Sequence, residues 1–450
     1  MQRIGARFGR FDAGAARRGF VALALMQIAF GFALTAQQNI STNYFNDVLG
    51  FQGPEFGYIT AIREVPGFLL IFLSALFYRV TLQRLTAGAL LLLGIAYMLF
   101  GASFDFWTVA PWVVLSSMGY HTVLQTQNAL ALTLTTEKKS GAILGWMGGA
   151  QQAGSLFGIV FILVTFAAGL LTYRPAFVVL GAAAMLAAAA VVRFPHLHDG
   201  REQAFAPKRD PIVFKKEYRL YYLLSLIDGA RQQIFFSFGL YVLVAIYGLS
   251  VEQISALLIV VTLAAAVFGP AIGRAIDRQG ERRMLGWVNV AYIVALAGYA
   301  FTTNLAVAAA CYIIYTFIFP LSAMGASTYL RKIAEPADLA PSFAMGTTMQ
   351  HAAAIVVPLS TGFILNFVGY QVPFAIACGF AFVNIFVVQK LDPANQRSAG
   401  RRALDEQTAL AQALEADAVE AAGDAEPGSR LASTAAAVAI AEQRPAGSDE

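Results

Sequence analysis

Four charged residues stand where the sequence is otherwise apolar: Arg63 and Glu64 in one long hydrophobic run, Asp228 and Arg231 in another. A charge inside a membrane span costs about 3 kcal/mol on insertion scales, so such residues mark ion pairs, proton relays or solute contacts. Asp228 and Arg231 are three apart, share a helix face and can pair with each other. Arg63 and Glu64 are adjacent, which turns their side chains roughly 100° apart and calls for other partners. A desolvated Glu64 carboxyl is suited to exchanging protons. Arg63 or Arg231 offers the planar fork that grips an anionic solute. His121 and His351 add two imidazoles with the chemistry of a proton relay. Each has a plainer reading beside it, a structural ion pair for Asp228 with Arg231 and a packing role for each histidine.

Uncharged polar residues extend the pattern. Ser117, His121, Gln125 and Asn128 follow one another at spacings of four, four and three, a single polar stripe on an apolar helix. Gln232 continues the run that holds Asp228, and Gln350 precedes His351. Such a stripe faces water or solute in a membrane protein, since lipid would leave its groups without partners.

These residues need a membrane to make sense. Of 450 residues 58% are hydrophobic and 13% charged, about half the charge of a soluble chain. A spanning helix needs about 20 apolar residues, and twelve segments qualify: 19–38, 56–78, 85–104, 107–134, 141–166 and 175–192, then 220–247, 251–272, 284–302, 305–330, 342–367 and 371–388. All but three of the 31 Lys and Arg residues fall on alternate loops and the two termini, which sets those on the cytoplasmic side. The exceptions are Arg174 in an outer loop and the buried Arg63 and Arg231. The chain thus divides into a cytoplasmic N-terminus (1–18), a six-helix bundle (19–192), a central cytoplasmic loop (193–219), a second six-helix bundle (220–390) and a largely disordered cytoplasmic tail (391–450), with a helical stretch near Ala403 to Ala421. The fold class is an all-α membrane protein. The third, sixth, ninth and twelfth spans hold no charge.

The segment Gly273, Asp277, Arg278, Gly280, Arg282, Arg283 closes the eighth span and resembles the signature cytoplasmic loop of the major facilitator superfamily. The resemblance implies two pseudo-symmetric bundles around a central cavity, with the third, sixth, ninth and twelfth helices as outer supports. It also implies that this loop is a gating latch working against the fifth helix, where Gly141, Gly145 and Gly149 share a face. The corresponding loop of the first half departs from the pattern, with Ser74, Tyr78 and Thr81 at the Gly, Asp and Gly positions.

The function expected is secondary active transport of a small organic solute by alternating access, proton-coupled through Glu64 or Asp228, in a monomer of the bacterial inner membrane with both termini cytoplasmic. Its partners are the solute, protons and the lipid bilayer, without nucleic acid. No GxxxxGK[ST], HExxH or GxSxG pattern occurs, so neither an ATP-driven pump nor an enzyme is expected, and no cofactor or metal. The alternative is a non-transporting sensor or assembly factor of the same fold.

Overall fold

The computed structural model describes residues 13–76, 80–135, 140–195 and 214–424, with side chains throughout except at 13, 70–76, 269–277, 340, 415 and 417–424. The described residues form helices, numbered here in chain order: α1 (Ala13–Asn43, continued by a π-helical turn Tyr44–Val48), α2 (Gly53–Leu76), α3 (Leu82–Phe100), α4 (Phe106–Leu132), α5 (Ser140–Ala167), α6 (Tyr173–Val192), α7 (Arg219–Ala245), α8 (Val251–Gln279), α9 (Glu281–Phe301), α10 (Leu305–Ile333), α11 (Pro336–Val368), α12 (Gln371–Gln389) and α13 (Ala399–Asp424). At α3, α4 and α10 a loop side chain accepts the first free backbone N–H groups. Asp105 and Thr108 form a reciprocal capping box on α4, and the Asn304 side chain accepts from Ala306 and Val307 at the start of α10.

Nine of the described helices are long and apolar enough to cross a membrane. The other three of the first twelve, α2, α4 and α7, are the ones that carry the charged pairs and the polar stripe. Several helices outrun their apolar segments, α1, α8 and α11 most clearly, because hydropathy detects only the part that meets hydrocarbon; the expected loop from Gly273 is thus helical as far as Gln279.

The packing repeats. In the first half α1 packs on α5 and α6, α3 on α4 and α6, and α2 on α4; in the second α7 packs on α11 and α12, α9 on α10 and α12, and α8 on α10. Adding six to each helix number converts the first set into the second. Between the halves α2 lies on α11 and α5 on α8, and these two contacts exchange under the same operation.

Contacts joining the halves gather from the midpoint toward the end opposite the central loop, called distal below. Asn39 of α1 donates to Ser255 of α8 at 2.7 Å, and Asn43 donates to the Leu249 carbonyl at 2.9 Å. The Phe56 and Tyr241 rings lie 4.5 Å apart. Here α2 and α11 touch backbone to backbone: a Cβ on Gly57 would sit 2.5 Å from the Pro358 carbonyl oxygen, and one on Gly362 2.6 Å from that of Gly53. Close helix contact of this kind depends on small residues. Gly362→Ala should therefore push the distal ends apart. An overpacking cost of about 1–3 kcal/mol raises the distally open population about five- to hundredfold. Maleimide labelling of Ser255→Cys, in a background without Cys311 and Cys378, reads that change as faster modification from the distal side.

The tail differs from expectation. Helix α13 begins four residues before the expected stretch because Ser398 is anchored: its backbone N–H donates to the Ile333 carbonyl at 2.9 Å, and its hydroxyl accepts from the Arg401 N–H at 3.1 Å. Residues 425–450 lie outside the described residues, as do 1–12 and 196–213 of the expected termini and central loop.

Candidate functional site

At the midpoint of the junction between the halves, α2, α4 and α11 bring Glu64, His121 and His351 together, with one ligand atom of each within 4.8 Å of the others. Glu64 Oε2 lies 3.4 Å from His351 Nδ1, so an ion pair links the halves whenever the imidazole is protonated. The other carboxylate oxygen accepts from Arg63 Nη2 at 3.1 Å and Nε at 3.2 Å. Adjacency did not prevent this pair, contrary to the expectation from helix geometry. The arginine stem is long enough to fold back across the 100° offset, and its tip is half exposed.

His121 is fixed by its own helix. Its Nδ1 lies 3.0 Å from the Ser117 carbonyl oxygen, which can only accept, so Nδ1 carries hydrogen and Nε2 keeps its lone pair. Ser117 Oγ in turn donates to the Arg63 carbonyl, tying α4 to α2. Gly67 makes room for the ring, since a Cβ there would stand 2.6 Å from Nε2. The His121 and His351 rings are 5.5 Å apart and near perpendicular. Tyr120 packs edge-on against His121 at 4.9 Å. Two imidazoles and a carboxylate at this spacing suit either proton relay or a divalent ion. The Arg63 guanidinium on the same carboxylate opposes a dication and leaves proton exchange as the chemistry the arrangement fits.

Asp228 and Arg231 form the expected pair, at 2.9 Å, in a different place. They lie within the second bundle, among α9, α10 and α12. Arg231 is fully buried, donates to Tyr315 OH at 2.8 Å and stacks its guanidinium 3.5 Å above the Tyr292 ring. Asp228 also accepts from Asn384 of α12 at 3.1 Å, and Asn384 reaches Asn289 of α9 at 3.3 Å. Supporting helices therefore supply the uncharged half of a buried polar network. Sequence reading passed over Asn289, Tyr292 and Asn384; the available signal was a lone Asn within each of two otherwise apolar spans.

The remaining residues are scattered. Gln125 and Asn128 are exposed on the half of α4 nearer the central loop, and Gln232 is half-buried. Gln350 packs on Gly229 of α7, where a Cβ would stand 3.1 Å from its Cα. Of the expected latch, Gly280 takes φ 78° as it turns the chain into α9, a backbone that favours glycine. Arg278, Arg282 and Arg283 are exposed. The side chains of Gly273 and Asp277, like those of Ser74 and Tyr78, lie outside the described residues. A Cβ on Gly141, Gly145 or Gly149 meets nothing within 4 Å among the described residues.

A family model described as the Major Facilitator Superfamily matches residues 221–435. Solved structures share the fold. The nucleoside transporter NupG is 15% identical, covers 83% of this chain and 98% of its own, and superposes with a TM-score of 0.66. A bacterial homolog of the human lysosomal transporter Spinster, inward-facing and occupied, is 14% identical over 84% of this chain and 98% of that one, with a TM-score of 0.66. The human organic anion transporter MFSD10 is 12% identical over 83% and 99% of the two chains, at 0.55. At such identities the likeness is one of fold. No curated protein sequence matches the chain.

Proposed function

We propose that this chain, whose residues 221–435 match the family model described as the Major Facilitator Superfamily, is a membrane transporter of that family and carries a small organic solute by alternating access, driven by protons exchanged at Glu64. The observation that supports this reading is the placement of the Glu64 to His351 contact. It joins α2 of one half to α11 of the other at the midpoint, where rocking of the halves must make or break it. With Glu64 ionised and His351 protonated the pair draws the halves together; neutralising either group removes the attraction and frees α2 from α11. Arg63 and His351, with 48% and 24% of their side chains exposed, give protons a route to the carboxyl, and His121 Nε2 stands ready as the relay. Distal closure makes this the inward-facing state, if the central loop is cytoplasmic as the basic residues require. The α8–α9 junction at Gly280, with Asp277 and Arg278 at the end of α8 and Arg282 and Arg283 at the start of α9, serves as the latch of the opposite state.

Purified protein is screened by thermal shift against organic acids, amino acids, nucleosides, sugars and cationic drugs at two pH values, and any stabilising solute is offered to proteoliposomes under an imposed pH gradient. Accumulation that follows the gradient is the expected result. A solute that binds without flux, under either gradient polarity, would instead favour a sensor of the same fold.

A further inference from the structure

Between α9 and α12, beside the loop that ends α8, the surface folds into a groove of about 790 Å³. Its mouth carries Arg282 and Arg283 on the first turn of α9, both exposed, and no ion pair holds either among the described residues. Trp287, 61% exposed, lies five residues further on, about 7.5 Å deeper along the helix. Val290 continues the apolar wall. Gly286 leaves the passage clear, as a Cβ there would meet nothing within 4 Å. Positive charge at the entrance, an indole one step down and aliphatic groups beyond follow the polarity of a lipid leaflet, where Trp concentrates at headgroup level.

The nearby acids set the balance. Glu281 is buried and bound by Lys332 Nζ at 2.6 Å, so it adds no free charge. Asp392, also on the groove wall, keeps its charge: hydrogen bonds from Asn395, aided by the charge of Arg282, hold its carboxyl below the usual carboxylate range. Two arginines against one aspartate leave the mouth with a single net positive charge.

We propose that this groove holds one phospholipid with an anionic headgroup, its phosphate between Arg282 and Arg283 and an acyl chain along Trp287 and Val290. A basic residue at an anionic membrane surface contributes about fivefold in binding. With one of the two arginines offset by Asp392, the groove should prefer an anionic over a zwitterionic lipid about fivefold.

Trp287 is its own reporter. In the variant Trp107→Phe, Trp112→Phe, Trp146→Phe it is the sole tryptophan, and brominated lipid entering the groove quenches it. In vesicles mixing brominated phosphatidylglycerol or brominated phosphatidylcholine with unlabelled lipid, the relative association constant should favour phosphatidylglycerol about fivefold. Adding Arg282→Gln and Arg283→Gln should bring it to unity or below, since Asp392 remains. Equal quenching by both lipids before the arginines are changed, or a preference that survives their loss, would overturn the proposal. Should the triple variant not fold, native mass spectrometry of the otherwise unaltered protein decides the matter. One retained phosphatidylglycerol, lost with both arginines, supports the site; no retained lipid, or retention indifferent to the arginines, refutes it.

Discussion

Proteoliposomes carrying Glu64→Gln should equilibrate solute without concentrating it. If one proton moves with each solute, a gradient of one pH unit is worth about 1.4 kcal/mol and sustains about tenfold accumulation by the parent protein. Gln keeps the size of Glu and can still accept from Arg63 and from His351, so insertion and packing should persist, but it holds no exchangeable proton. Accumulation should fall to about onefold. Exchange of labelled for unlabelled solute, which needs no net proton movement, should continue. That split separates loss of coupling from loss of fold. His351→Asn provides the second test: it leaves the Glu64 carboxyl in place and removes only the ion pair between the halves, so accumulation should weaken together with its dependence on internal pH. Gradient-driven accumulation unchanged in Glu64→Gln would remove Glu64 from the coupling path.

What could be read in advance follows physical scale. Spans of about 20 apolar residues and a one-sided distribution of Lys and Arg are properties of whole segments, and they survive ignorance of every contact. The polar stripe of α4 is local in the same sense: four positions on one helix fix a face. Ser117 and His121 accordingly stand where α4 meets α2, while Gln125 and Asn128 on the same stripe are exposed. Meetings between helices are a different matter. Nothing in the chain order of Glu64, His121 and His351 indicates that they converge, because that depends on how α2 lies across α11 at Gly57 and Gly362. Helix geometry alone misjudged Arg63 with Glu64, since backbone direction fixes Cβ while a long side chain chooses its own end point. Likewise the charged pair on α7 was legible and its surroundings were not. Asn289 and Asn384 acquire meaning only once α9 and α12 are packed against α7. The emptiness of the supporting helices in charge concealed their role in holding one.

Burial separates the two arginines sharply enough to predict opposite outcomes. Arg63 is 48% exposed, and an ion pair so open to solvent contributes about 0–1 kcal/mol, so Arg63→Ala should leave thermal stability nearly unchanged. Arg231 is fully buried between Asp228, Tyr292 and Tyr315. Removing it leaves the Asp228 carboxylate inside the second bundle with Asn384 as its remaining hydrogen-bond donor, and breaking a buried pair in this way costs about 3–5 kcal/mol. For a bundle the size of the second half that lowers the melting temperature on the order of 10 °C. If the cost comes from the stranded charge, neutralising its partner should recover much of it: Asp228→Asn with Arg231→Met should melt closer to the parent than Arg231→Met alone, because a well-packed neutral pair escapes the desolvation penalty. A solute-binding arginine would behave otherwise. Its loss would abolish transport per folded molecule while sparing stability, and Asp228→Asn could not rescue it. Differential scanning fluorimetry on the parent and the three variants, with transport normalised to monodisperse protein, distinguishes the two. Equal melting of Arg63→Ala and Arg231→Met would show that the α7 pair is not what holds α9, α10 and α12 together.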